Sequence, residues 1–187
     1  MKKVEFGKKA RTKLVEGIDI LADAVVSTLG PNGRNVFIQK GIVEPPQSTK
    51  DGVTVARSIV LKDPELEMGV QAMKYAAIKT ADKAGDGTTT STLLAREMVH
   101  AGLEGLNNGE NAVKIKRDID KSVKQVVSKL KDIAEDISDE SQLTQIATVS
   151  ANNDEEIGSL ISTGIEKVGP KGVVHIETSK TGETYIE

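Results

Sequence analysis

Aliphatic residues recur every three or four positions along much of this chain, with almost nothing aromatic between them. Ile115, Ile119, Val123, Val126, Leu130, Ile133 and Ile137 form the cleanest series, and Leu14, Ile18, Leu21 and Val25 form another. That spacing lays one apolar stripe along an α-helix. With two Phe, two Tyr and no Trp, a core has to be assembled from Leu, Ile, Val, Ala and Met. Helices packed through aliphatic seams, with Ala at the closest approach, are the architecture that such a core favours.

The pattern predicts a helix from about Lys9 to Thr28, stopped by Gly30 and Pro31. Asn35–Gln39 reads as a short strand, with Gly52–Ala56 returning beyond the Pro45-Pro46 loop as its hairpin partner. Further helices are predicted over Glu65–Lys83 and Thr88–Leu106, the latter with Leu93, Leu94, Met98 and Leu103 inward. The helix that begins near Asn111 has a seven-residue recurrence open to a coiled-coil reading, but packing inside its own domain is the preferred one. Beyond Ile137, Asp139–Val149 and Asp154–Val168 read as two shorter helices. A Gly169-Pro170-Lys171-Gly172 turn then leads to a strand, Val173–Glu177. The change of character places a domain boundary at residues 132–136.

Several function classes fall away. A net charge of −3 and few aromatics to stack bases give no case for nucleic acid as a partner. Zero cysteines excludes disulfides, thiolate metal sites and a cysteine nucleophile. No run approaches the roughly 18–20 apolar residues of a membrane span, and the basic N-terminus has no apolar stretch behind it. The expectation is a soluble, cytoplasmic chain without a membrane partner. His100 and His175 lack acidic neighbours at ligand spacing, and His100 is expected at the surface.

The candidate chemistry sits at Gly85-Asp86-Gly87-Thr88-Thr89-Thr90, a glycine-bracketed carboxylate that opens a helix. First-turn N–H groups lack intrahelical partners and carry the positive end of the macrodipole. Glycines let a backbone approach phosphate closely, and Asp suits a hard cation such as Mg²⁺ bridging to it. The same residues also read as an ordinary helix start with Asp86 as N-cap. Thr28-Leu29-Gly30-Pro31-Asn32-Gly33-Arg34 adds a second glycine-rich turn, and Thr49-Lys50-Asp51-Gly52-Val53-Thr54 sets a cation beside a carboxylate. Alone, the first is compatible with a plain turn and the second with a surface ion pair. No Walker A pattern is present, so phosphate binding is not assigned to a P-loop.

These three segments, in this order, closely resemble the group I chaperonins of the GroEL type. The likeness extends from Val4-Glu5-Phe6-Gly7 through Gly17–Val25 to Val149-Ser150-Ala151-Asn152 and Val168–Val173, nearly the whole chain. It implies a mainly α fold: residues 1–133 as the N-terminal section of a multihelical equatorial ATP-binding domain with a small β-hairpin, and residues 134–187 as part of an α+β intermediate, hinge-like domain. Thr28, Leu29, Gly30 and Pro31 would line the adenosine and phosphate side. Asp86, Gly87, Thr88, Thr89 and Thr90 would wrap the phosphates, with Asp86 on Mg²⁺. Lys50 matches a phosphate-side lysine, where K⁺ coordination is also implied, and Asp51 matches a catalytic carboxylate linked to hydrolysis.

The resemblance further implies ATP as cofactor, unfolded protein clients, a co-chaperonin lid, and a homo-oligomer of two stacked seven-membered rings. Lys3–Phe6 would add a strand to a neighbour's hairpin. The family chain continues through parts that carry a second catalytic carboxylate and the client-binding surface, so hydrolysis by these residues alone is expected to be incomplete. A non-catalytic relative that binds nucleotide or co-assembles is the alternative. Asn32, the Gly41–Ser48 loop and Asn111-Ala112-Val113 depart from the common family pattern and mark a divergent member.

Overall fold

The computed structural model describes residues 4–169 and 172–187. Lys3 of the neighbour-strand segment, and Pro170 and Lys171 of the turn before Val173, lie outside the described residues. The order is α1 (Gly7–Val26), β1 (Val36–Ile38), β2 (Gln47–Thr49), α2 (Gly52–Ser58), α3 (Pro64–Ala84), α4 (Thr88–Asn107), α5 (Ala112–Ile133), α6 (Glu140–Ser150) and α7 (Glu155–Val168). The fold is mainly helical with one small antiparallel hairpin, as the sequence predicts. Two compact units divide it, Met1–Ser128 and Lys129–Glu187.

In the first unit, α1 lies against α3, their seam set by two glycines used reciprocally. A Cβ on Gly17 would fall 2.0 Å from the Leu66 carbonyl oxygen, and one on Gly69 would fall 2.0 Å from that of Leu14. Only glycine permits backbones to approach so closely. The seam buries Ile18, Leu21 and Val25 of α1 against Val70, Met73 and Ala77 of α3, with Val55 and Ala56 of α2 closing the cluster. Full burial of such side chains supplies about 1.5–3 kcal/mol each. Across the surface, Arg96 Nη1 of α4 donates to Asp23 Oδ1 and His100 Nε2 meets Asp19 Oδ1, each at 2.7 Å. His100 is exposed, as expected, but does have an acidic partner brought in by folding.

Four expectations are corrected. The hairpin pairs Val36–Ile38 with Gln47–Thr49, register Val36 to Thr49; Gly52–Ala56 is not its second strand but the start of α2. The Asp51 side chain overrides the β-branched composition there, accepting from the N–H groups of Val53 and Thr54 as an N-cap. On α4, Leu94 and Met98 are exposed while Thr88 and Thr92 are buried, with Ala95 and Val99 against the core. Small threonines let the helix start sit close to its neighbours, which turns the leucine side outward.

Helix α5 buries no residue. Ile115 and Ile119 lie near Gly102 of α4, but Val123, Val126, Leu130 and Ile133 are exposed, so the stripe is uncovered along most of its length. Val173–Glu177 runs without strand pairing, since no described segment lines up beside it to share its hydrogen bonds. The second unit is the α6–α7 hairpin. Asp139 and Asp154 cap the two helices, Asn152 and Asn153 turn with φ of 58° and 64°, and Gly158 packs against Thr148. Among the described residues no helix is long and apolar enough to cross a membrane.

Candidate functional site

Three helix ends meet in the first unit: the carboxyl end of α1 and the amino ends of α2 and α4. Helix α3 stops at Gly85, φ 76°, and α4 begins after Gly87, φ 80°. Both are left-handed conformations that glycine adopts without strain, and a Cβ on either would meet nothing within 4 Å. The chain thus reverses through Asp86 on an open shelf. Asp86 is exposed and its Oδ1 accepts from the Gly87 N–H at 2.6 Å. The N-cap is therefore Gly87, not Asp86, and it supplies no side-chain cap. The first turn of this 20-residue helix thus receives no cap from its N-cap side chain, and about half a positive charge there suits an outside acceptor.

The threonine turn is wedged against the other two ends. Thr28 Oγ1 lies 3.3 Å from Thr89 Oγ1 and also donates to the Val25 carbonyl at 2.7 Å. Thr88 is buried, Thr89 half-buried and Thr90 exposed. A Cβ on Gly52 would lie 2.3 Å from Thr89 Oγ1 and 3.0 Å from Thr88 Oγ1. Asp51, one residue earlier, is half-buried and held firmly: Oδ2 accepts from the Thr54 N–H at 2.9 Å and from the Thr54 hydroxyl. Lys50 beside it is exposed.

The turn after α1 folds back on itself, Gly33 N–H donating to the Gly30 carbonyl at 2.9 Å and Arg34 N–H to that of Ser27 at 2.8 Å. That leaves Leu29, Gly30 and Pro31 exposed around the same end of α1. The fold thus brings Thr28, the Asp51-Gly52 step, Thr88 and Thr89 together, with Asp86 and Gly87 directly preceding that turn. Sequence reasoning named Gly52 and Thr54 within the Thr49–Thr54 segment but gave neither a part in the site. For Thr54 the available signal was Asp51, a helix N-cap residue type.

This donor set fits an anionic, oxygen-rich ligand carrying a hard cation. Helix N–H groups and hydroxyls suit phosphate oxygens, while a carboxylate at the same place would repel them unless a cation lies between. Among the described residues no three His, Asp or Glu side chains gather as a preformed metal cage. A cation here would be shared between Asp86 and the ligand. A concavity of about 530 Å³ beside Asp139, Glu140 and Thr144 in the second unit is a poorer candidate. Asp139 already accepts from the Gln142 N–H there, at 2.8 Å, and the surrounding carboxylates repel anions.

Comparison with known proteins bears on the family and the fold. The TCP-1/cpn60 chaperonin family profile matches residues 21–184. Among solved structures, the chain resembles the chaperonin gp146 from the bacteriophage EL 2 (Pseudomonas aeruginosa), determined in two crystal forms in presence of ATP-BeFx. Against one form it is 35% identical over 83% of this chain, with a TM-score of 0.70. Against the other it is 35% identical over 84%, with a TM-score of 0.71. The matched part is 27% and 28% of those chains, so this chain spans little more than a quarter of that relative's length. The profile covers most of the chain and the backbones agree with a chaperonin's: the chain belongs to the TCP-1/cpn60 chaperonin family.

Proposed function

We propose that the chain supplies the first part of the ATP site of a group I, GroEL-type chaperonin subunit in the cytoplasm. Residues 1–133 are assigned to the equatorial domain and residues 134–187 to the intermediate domain. The observation that carries this reading is the convergence of Thr28, Gly52, Thr88 and Thr89 beside the uncapped amino end of α4. A relative 35% identical was crystallised in presence of ATP-BeFx, which supports nucleotide as the ligand class.

In this reading the first-turn N–H groups and Thr90 hold phosphate oxygens, and Asp86 holds Mg²⁺ against them. The Thr28–Pro31 turn borders the nucleoside side, and Lys50 flanks the phosphates, at a position that would also hold K⁺. Mg²⁺, when bound, neutralises charge on the phosphate oxygens. Asp51, pinned by its cap bonds, is the carboxylate placed to orient the attacking water. In a complete ring, of two stacked heptamers, nucleotide contacts bias a hinge that moves the client-binding and lid-binding parts.

The uncovered stripe of α5, together with exposed Leu94 and Met98, favours a second reading. Here the chain binds nucleotide and co-assembles with other subunits without hydrolysing ATP itself. Turnover by the purified chain with Mg²⁺ and K⁺ tests the site. Phosphate release that Asp51→Ala and Asp86→Ala both abolish makes this half-site catalytic by itself and removes the second reading. Binding without release, lost in Asp86→Ala, is the result expected of a partial site that needs the second catalytic carboxylate for hydrolysis. Neither binding nor release contradicts the nucleotide assignment.

A further inference from the structure

We infer that Gly52 is a positioning residue of this site: the absence of its side chain sets where the Asp51 carboxylate stands relative to the threonine turn. The inference rests on the nucleotide reading above and deepens it. Gly52 is buried, and an added Cβ would approach Thr89 Oγ1 to 2.3 Å, Thr88 Oγ1 to 3.0 Å and the Thr89 nitrogen to 3.2 Å. The Thr89 nitrogen is backbone, and Thr89 Oγ1 already meets Thr28 Oγ1 at 3.3 Å, so neither side of the contact yields easily. Relief therefore parts the amino ends of α2 and α4, by a few tenths of an ångström for the Thr89 nitrogen and by more for a Thr89 hydroxyl that stays on Thr28.

That shift reaches Asp51 because the rest of α2 is fixed. Val55 and Ala56 are buried in the core. At the far end the buried Lys74 of α3 donates from Nζ to the Arg57 carbonyl at 3.4 Å. With its second half anchored, α2 pivots at the end that carries Asp51. The Asp51 carboxylate moves as a unit with the helix, because Val53 N–H, Thr54 N–H and the Thr54 hydroxyl all donate to it. The glycine thus acts on where Asp51 stands relative to the Thr88-Thr89 turn.

The test compares affinities of the full chain for MgADP and for MgADP with beryllium fluoride, a stand-in for the terminal phosphate. Gly52→Ala is expected to weaken the fluoride complex about tenfold more than MgADP, short of the roughly 10²-fold that a full 1 Å misplacement can cost. Asp51→Asn should shift the preference in the parent but by less than about twofold in Gly52→Ala, since both changes act on one group. Equal losses for the two ligands, an unchanged preference, or a full Asp51→Asn effect in the Gly52→Ala background overturns the inference alone. A parent chain that binds neither ligand overturns the site reading and the inference together. If Gly52→Ala does not fold, Gly52→Ala with Thr89→Ala removes the oxygen struck at 2.3 Å. It should fold and keep the preference of Thr89→Ala, because the oxygen whose contact displaces Asp51 is gone, and a preference still lost would refute the role of that contact.

Discussion

Replacing Gly17 with Ala tests the packing on which the whole first unit depends. Helix propensity alone favours the change by about 1 kcal/mol, because Ala loses less backbone freedom than Gly. The structure opposes it: the new Cβ would sit 2.0 Å from the Leu66 carbonyl oxygen, 2.9 Å from its carbon and 3.2 Å from its Cα. All three atoms are backbone, so no rotamer change helps. Helices α1 and α3 must part by about 1 Å, and a gap of that size forfeits a quarter to a half of each contact's attraction. Leu21, Val25, Val70 and Met73 line this seam. Overpacking of this kind costs about 3 kcal/mol, leaving a net loss of about 2 kcal/mol after the propensity gain.

For a unit ending at Ser128, 1 kcal/mol moves Tm by about 4 °C, so a fall of about 8 °C is expected. Thermal unfolding followed by far-ultraviolet circular dichroism, with urea titration beside it, reads the change. Gly102→Ala is the internal control, because its Cβ would meet Ile115 Cγ2 and Ile119 Cδ1 at an ordinary 3.7 Å. There the propensity gain stands alone, and Tm should rise by about 4 °C. A rise for Gly17→Ala as well would refute the close α1–α3 seam.

Asp51→Ala should cost about 1 kcal/mol of stability through the lost α2 cap, measurable by urea titration; no change would mean that the carboxylate does not cap the helix. Lysines at Val126 and Leu130 should leave stability within about 0.5 kcal/mol, since an exposed stripe holds nothing in place, while reducing self-association in sedimentation; unfolding would show that the stripe is covered. The two units should respond oppositely to acid. The Glu65 N–H beside Asp63, and the Leu61 N–H with the Gln71 amide beside Glu67, hold both carboxyls below their ordinary values. Their contribution is present above the unfolded carboxylate range and is lost as pH falls through the lowered folded values. Burial and the neighbouring Glu140 push Glu166 up, so its ionised form disfavours the α6–α7 hairpin and protonation relieves it. Hydrogen exchange across the carboxylate range should show α3 loosening as pH falls while α6–α7 tightens. Glu166→Gln should abolish the second trend.

What the sequence made legible was set by local physics. Helices α1, α3, α6 and α7 were readable within a few residues because apolar period, caps and stop signals agree there. Helix α2 was not, because Val53, Thr54 and Val55 favour a strand on composition and only the Asp51 cap, a single residue, points the other way. The inward side of α4 was misjudged for a related reason. Its amino end packs through Thr88 and Thr92, and a search for large apolar residues overlooks small polar ones used for close approach. Whether the α5 stripe is covered depends on what lies opposite, which no periodicity records. The site residues were singled out by their joint resemblance, and folding brings Thr28 to Thr89; the Gly52 contact became visible only with the two helix ends side by side.

The most direct test of the nucleotide assignment is calorimetric titration of the chain with MgATP, parent against Asp86→Ala. Asp86 lies on an exposed turn between two positive-φ glycines, so its substitution spares the core. Saturable binding by the parent, weakened at least about tenfold in Asp86→Ala, is expected of a carboxylate that shares a cation with the phosphates. Equal affinity in the two proteins would place MgATP elsewhere and contradict the assignment.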